Sequence, residues 1–271
     1  MGVDRLVIGF GILGLIVGII IISLLTNISA YFSVISISFV ISFFMFYKMK
    51  KEELGKLDII YIYVINILGF AIGSKLFDII EIHENFTLFN ITNTGYSFVG
   101  GMIGSVLCVF LYCKKYKLDY LETQSSFFVI YPLIYSISKI ACQINGCCRG
   151  INLSDSVVGD IRWLEPLVNC IRWYQPLIEA IIMYILFHWL YRNFNKLKTK
   201  SIIGIFLVLF GALRFIIDYF RMARLFREDI LYLLLKLTLT QIVCIVFIAI
   251  GIVVLEKIIF EDKLEVENKK Q

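Results

Sequence analysis

Apolar residues run along this chain in long blocks, near residues 6–25, 31–47, 59–80, 96–112, 124–144, 174–191, 202–220 and 239–255, with short polar segments between them. Each block approaches the ~20 residues that a helix needs to cross the hydrocarbon core of a bilayer. Such blocks predict an all-α fold, a polytopic membrane bundle of about eight transmembrane helices. The first block exceeds the ~7–15 apolar residues of a signal peptide and no A-x-A site follows it, so it is expected to stay as an anchor.

Composition agrees with that pattern. The chain has 271 residues, of which 59% are hydrophobic and 3 are proline, and its mean hydropathy is +0.85. It reads as one membrane domain over residues 1–271, with no room for a soluble one. Lys48, Lys50, Lys51 and Lys56 mark one connection as cytoplasmic, as do Lys114, Lys115 and Lys117, and again Arg192, Lys196, Lys198 and Lys200. By the positive-inside rule both termini, including the tail 256–271, are expected in the cytoplasm. The opposite connections lack lysine and hold Arg149, Arg162, Arg172, Arg221, Arg224 and Arg227. Arginine forks suit an outer-leaflet phosphate, although a solvated loop surface would also account for them. The formal charge of +5 fits an anionic membrane surface and gives no reason to expect nucleic acid.

Several charges fall inside the apolar blocks. Arg214, Asp218 and Arg221 follow at spacings of four and three. At ~100° per residue they share roughly 60° of helix surface. Lys75, Lys139 and Glu179 lie on three other blocks. Ionisable residues at such depth cost at least ~2.5–3.5 kcal/mol and face a bundle interior or a polar cavity. One shared cavity near the outer surface would satisfy the whole set; an Arg214–Asp218 pair closing an interhelical gap is the plainer alternative.

Small residues add a second theme. Gly14/Gly18, Gly69/Gly73 and Gly100/Gly104 form GxxxG pairs, which let helices approach closely. Gly100 and Gly101, near a helix start, also offer backbone N–H groups that suit a phosphate. Asn145-Gly146 signals a turn directly after the Lys139 helix. Of seven cysteines, Cys142, Cys147 and Cys148 are clustered as C-x4-C-C, but neither His83 nor His188 is near them, and no metal or other cofactor is expected.

These motifs resemble those of the prolipoprotein diacylglyceryl transferases. Ser97-Phe-Val-Gly-Gly-Met-Ile-Gly104 is similar to that family's S-F-H-G-G-L-I-G, and Lys139-Ile-Ala-Cys-Gln-Ile-Asn-Gly-Cys-Cys-Arg-Gly150 to its R-[IL]-G-[NC]-F-[IL]-N-G-x-x-[YW]-G. Gly69–Leu76 resembles G-x-x-x-G-[AG]-R-[LI], Leu177-Ile-Glu179 resembles Q-L-Y-E, and Phe210–Arg221 resembles Y-G-x-x-R-x-x-x-[ED]-[FW]-x-R. Order and spacing agree over residues 31–255, which makes 1–28 an additional N-terminal helix.

The resemblance implies transfer of the diacylglyceryl group of phosphatidylglycerol to the lipobox cysteine of a preprolipoprotein, releasing glycerol phosphate, in a bacterial cell membrane. It implies that Arg214 and Lys139 hold the lipid phosphate, that Asp218 and Glu179 orient them, and that Tyr31 matches a family tyrosine. Lys75, Gly100, Gly101, Asn145, Gly146 and Arg221 complete the expected substrate-binding set. Val99 replaces the family's usual His, Lys139 and Lys75 replace Arg, Phe210 replaces Tyr, and Pro176 stands where Gln is common. Those departures leave two alternatives open: a paralogue with another acceptor, or a non-catalytic lipid- or peptide-binding protein.

Overall fold

A computed structural model describes residues 30–82, 95–148, 165–220 and 237–268, and among them every regular element is an α-helix. In chain order these are α1 (Ala30–Lys50), α2 (Lys56–Ile82), α3 (Phe98–Tyr116), α4 (Tyr120–Asn145), α5 (Glu165–Asn193), α6 (Thr199–Tyr219) and α7 (Leu239–Asn268). Each coincides with one of the apolar blocks; the first block, near residues 6–25, lies outside the described residues. Five of the helices, α2, α3, α4, α6 and α7, are long and apolar enough to cross a membrane, so the chain is a multi-pass membrane protein. α7 continues to Asn268, well past the end of its apolar block.

Local chemistry sets the helix ends. The Ser97 side chain accepts from the Gly100 N–H at 3.4 Å and starts α3, while Asp119 Oδ1 accepts from the Glu122 N–H at 2.9 Å and starts α4. Such side chains satisfy donors that a helix N-terminus otherwise leaves unpaired. α3 stops at Lys117 in a left-handed conformation, φ 56°, and α4 stops at Gly146, φ 70°. Before α7, Thr238 and Gln241 form a reciprocal capping box: Thr238 Oγ1 accepts from the Gln241 N–H, and Gln241 Oε1 from the Thr238 N–H, both at 3.1 Å.

The chain packs as two compact units, Met1–Arg149 with Trp173–Phe187, and Gly150–Arg172 with His188–Gln271. In the first, α2 and α3 lie against each other and α1 lies against α4. Phe46 of α1 stacks on Phe127 of α4 with ring centroids 4.3 Å apart. Three buried polar groups meet at one hydroxyl: Asn66 Nδ2 donates to the Tyr131 hydroxyl at 3.0 Å, and Ser105 Oγ is 2.6 Å from that same hydroxyl.

Glycines bring α2 and α3 together. A Cβ on Gly73 would stand 2.4 Å from the Gly100 carbonyl oxygen, and one on Gly104 would stand 2.2 Å from that of Gly69. Without a hydrophobic force between helices in lipid, this close approach supplies the attraction through van der Waals contact. In the second unit α6 packs on α7 in a related way, a Cβ on Gly251 meeting the Gly204 carbonyl oxygen at 2.8 Å.

Gly73→Ala is therefore expected to destabilise the detergent-solubilised protein by about 1–3 kcal/mol, as overpacking does. Gly55→Ala, in a connection where a Cβ would meet only the end of the Asp58 side chain, is expected to cost under about 0.5 kcal/mol. Thermal melts of the two variants side by side check this; equal melting temperatures would show that the α2–α3 approach is not glycine-dependent.

Candidate functional site

Lys139 and Glu179 meet inside the first unit. Lys139 Nζ lies 2.9 Å from Glu179 Oε2, with the two side chains 7% and 0% exposed. The Tyr135 hydroxyl donates to that same Glu179 oxygen. Tyr135 precedes Lys139 by one helical turn on α4, so both reach the same side of α5, and the Lys139 ammonium also sits 5.2 Å from the centre of the Tyr135 ring. The Phe98 ring packs edge-on against Tyr135 at 4.8 Å, bringing the start of α3 to the ion pair. Breaking such a pair costs more than the pair itself is worth, because one charge is then left buried and uncompensated.

A second buried charge pair occupies the second unit. Arg214 and Asp218, four residues apart on α6, approach to 3.9 Å with side chains 10% and 4% exposed. At that distance the contact is a charge interaction and not a bidentate hydrogen bond. Asp218 has a shorter partner: Thr238 Oγ1 donates to Asp218 Oδ2 at 2.6 Å. The Gln241 side chain donates to the Phe215 carbonyl at 3.4 Å, so the capping box of α7 is tied to α6 at two points.

The remaining expected residues are placed as follows. Lys75 Nζ lies 4.1 Å from the centre of the Tyr96 ring, a cation–π contact in the first unit. The Gly100 N–H donates to Ser97 Oγ and the Gly101 N–H to the Ser97 carbonyl at 2.9 Å, while a Cβ on Gly101 would stand 2.7 Å from the Phe70 ring. Packing is what the structure shows at these two glycines. Asn145 is exposed at the last position of α4, and Gly146 follows in its left-handed turn. Tyr31 stands in the first turn of α1 with its side chain outside the described set, and Arg221 lies outside the described residues. Val99 is buried, 1% exposed.

Two residues join the charge pairs without having been expected, and each has a sequence signal. Tyr135 lies four before Lys139, the spacing that puts two side chains on one helical face. Thr238 opens Thr-x-x-Gln ahead of an apolar run, the signature of a capping box. Beyond Gly146, the Cys147 thiol is raised above its ordinary pKa by the neighbouring Cys148 thiol and by burial.

A multi-pass helical membrane protein with a buried lysine–glutamate pair and a buried arginine–aspartate pair is the class that this geometry defines. The family model for prolipoprotein diacylglyceryl transferase matches residues 19–256, and the chain belongs to that family. Among its relatives is a protein of Chlorobaculum tepidum named phosphatidylglycerol-prolipoprotein diacylglyceryl transferase, 28% identical over 162 residues, which are 59% of this chain and 55% of that protein. A protein of the same name from Clostridium tetani is 24% identical over 181 residues, 64% of this chain and 72% of that protein. Another, from Rickettsia typhi, is 25% identical over 233 residues, 80% of this chain and 88% of that protein.

Glu179→Ala is expected to destabilise the solubilised protein by about 3–5 kcal/mol, since it strands a buried ammonium. Adding Lys139→Met to that variant should recover most of the loss. Thermal or denaturant unfolding of the single and double variants checks the coupling, and simple additivity would show that the two charges do not depend on each other.

Proposed function

We propose that this chain is a phosphatidylglycerol-prolipoprotein diacylglyceryl transferase of a bacterial cell membrane, with residues 31–255 as its core and about eight spanning helices. The observation that carries the reading is the family match over residues 19–256, combined with the burial of charge at the motif positions Lys139, Glu179, Arg214 and Asp218. In the reaction, the sulfur of a lipobox cysteine attacks the glyceryl carbon that bears the phosphate. The carbon–oxygen bond breaks with its electron pair passing to the phosphate, and glycerol phosphate leaves. The thiol proton passes to a base, since the thiolate is the effective nucleophile.

Negative charge grows on the leaving phosphate, and cations fixed in a water-poor site stabilise it without reorganising. Arg214 supplies the fork suited to that phosphate, and Lys139 supplies a point charge where the family motif has Arg. Asp218 and Glu179 hold the two cations in place. Lys75, Asn145, Gly146 and Arg221 bind substrate, Gly100 and Gly101 contribute through the close packing of α2 and α3, and Tyr31 is the catalytic tyrosine. Val99 cannot accept a proton where the family usually has His, and that observation favours one second reading: a related transferase with another acceptor thiol or hydroxyl.

Arg214→Ala is expected to lower the rate of glycerol phosphate release from phosphatidylglycerol by at least about a hundredfold, or ~2.7 kcal/mol, and Val99→Ala by far less. Release is followed with a lipobox peptide as acceptor; wild-type activity in Arg214→Ala would overturn the mechanism, and release without peptide modification would select the second reading. Lys139→Arg is expected to keep or raise activity with an unchanged pH–rate profile. A loss of a hundredfold or more, together with loss of a pH-dependent rise, would instead assign proton transfer to Lys139.

A further inference from the structure

Three thiols meet at the C-terminal end of α4, on either side of the Asn145-Gly146 turn, and none of them has a part in the proposed transfer. The Gly146 N–H bonds to the Cys142 and Gln143 carbonyls, and the Cys147 N–H donates to the Cys142 carbonyl at 3.1 Å. That arrangement ends the helix and curls the chain back over its last turn. Cys148 then adopts φ 60°, a left-handed conformation that is unfavourable for a residue with a Cβ. The result is that the sulfur atoms of Cys142, Cys147 and Cys148 all lie within 4.8 Å of one another, Cys142 buried and the other two half-buried.

We propose that Cys142, Cys147 and Cys148 bind one thiophilic metal ion of the Zn(II) or Cu(I) class. A disulfide uses two sulfurs; the convergence of a third is what a coordination shell requires. Thiolates bound to zinc at about 2.3 Å stand about 3.8 Å apart in tetrahedral geometry, so each sulfur closes in by less than about 1 Å. The donors are all sulfur, with no carboxylate or imidazole among them, and such a set selects soft or borderline cations over calcium, magnesium or manganese. Each thiol releases its proton to solvent on binding, since the thiolate is the ligand. Three protein ligands leave a fourth position for water, as in open sites. The site does not depend on transferase activity.

The test uses the full-length chain, purified in detergent under reducing conditions and stripped of metal. It is titrated with Co(II) as the spectroscopic substitute for Zn(II), and separately with Cu(I) against a competing chelator. Thiolate-to-cobalt charge-transfer absorption that saturates at one equivalent and is displaced by Zn(II) supports a zinc-class site; one equivalent of Cu(I) retained against the chelator supports the copper class. Cys142→Ser, Cys147→Ser and Cys148→Ser should each weaken binding by about tenfold or more, whereas Cys244→Ser, on α7, should not. Three results would overturn the proposal: no saturable one-equivalent binding of either metal, binding unchanged in Cys147→Ser/Cys148→Ser, or a disulfide among these thiols in protein alkylated as it leaves the membrane. Absence of saturable binding by the wild type overturns the proposal even where a variant fails to fold.

Discussion

Hydrocarbon offers no hydrogen bonds, so a polar group within these helices is held at least cost when it meets another part of the chain. That constraint orders the interior of both units. Tyr131 serves Asn66 and Ser105 together, Tyr135 and Lys139 both converge on Glu179, and Asp218 takes the Thr238 hydroxyl. None of these groups would be tolerable alone at such depth. Matching of this kind fixes helix rotation as well as contact, because a turn of α4 by one residue would carry Lys139 and Tyr135 away from α5 together.

Close packing is the complementary condition. Lipid chains are as apolar as leucine, so helices gain nothing by hiding apolar surface from one another and gain much by shape. The glycines of α2 and α3 answer that need by exposing backbone to backbone. They also hold the start of α3 near the ion pair, where Phe98 reaches Tyr135. The same residue types that suggest a phosphate-binding turn in sequence thus do a second job in the fold.

Helix positions were legible because their cause is local: blocks of apolar residues near the length of a bilayer. Seven blocks correspond to described helices, and the largest differences are at the start of α5, Glu165 against residue 174, and the end of α7, Asn268 against residue 255, where the helix runs on through polar residues that hydropathy alone does not count. The GxxxG pairs of α2 and α3 were likewise readable, since small residues at that spacing have few other uses. Which charges pair was harder to read. The Arg214–Asp218 contact follows from helical spacing alone, but the Lys139–Glu179 contact joins α4 to α5, and no local rule specifies it. Tyr135 and Thr238 are less legible because the helical spacing of the one and the cap motif of the other do not name the carboxylate each hydroxyl meets. The thiol cluster is hard to read for another reason: C-x4-C-C spans a helix end, and the left-handed residues after Asn145 bring its sulfurs together.

Thr238 has a hydroxyl with one proton and few degrees of freedom. Its proton points to Asp218 Oδ2, and its oxygen accepts the Gln241 N–H at the first turn of α7. Rotation about the Thr238 Cβ–Oγ1 bond would forfeit the first bond, and rotation about Cα–Cβ would forfeit both. The dipole facing Asp218 is therefore frozen by the same bonds that begin a helix. A carboxylate held by a frozen dipole differs from one held by a mobile water molecule: when charge elsewhere changes during a reaction, the dipole has little room to relax. The reorganisation energy that solvent would contribute at that carboxylate is thereby met once, when the helix folds, whatever charge later forms nearby.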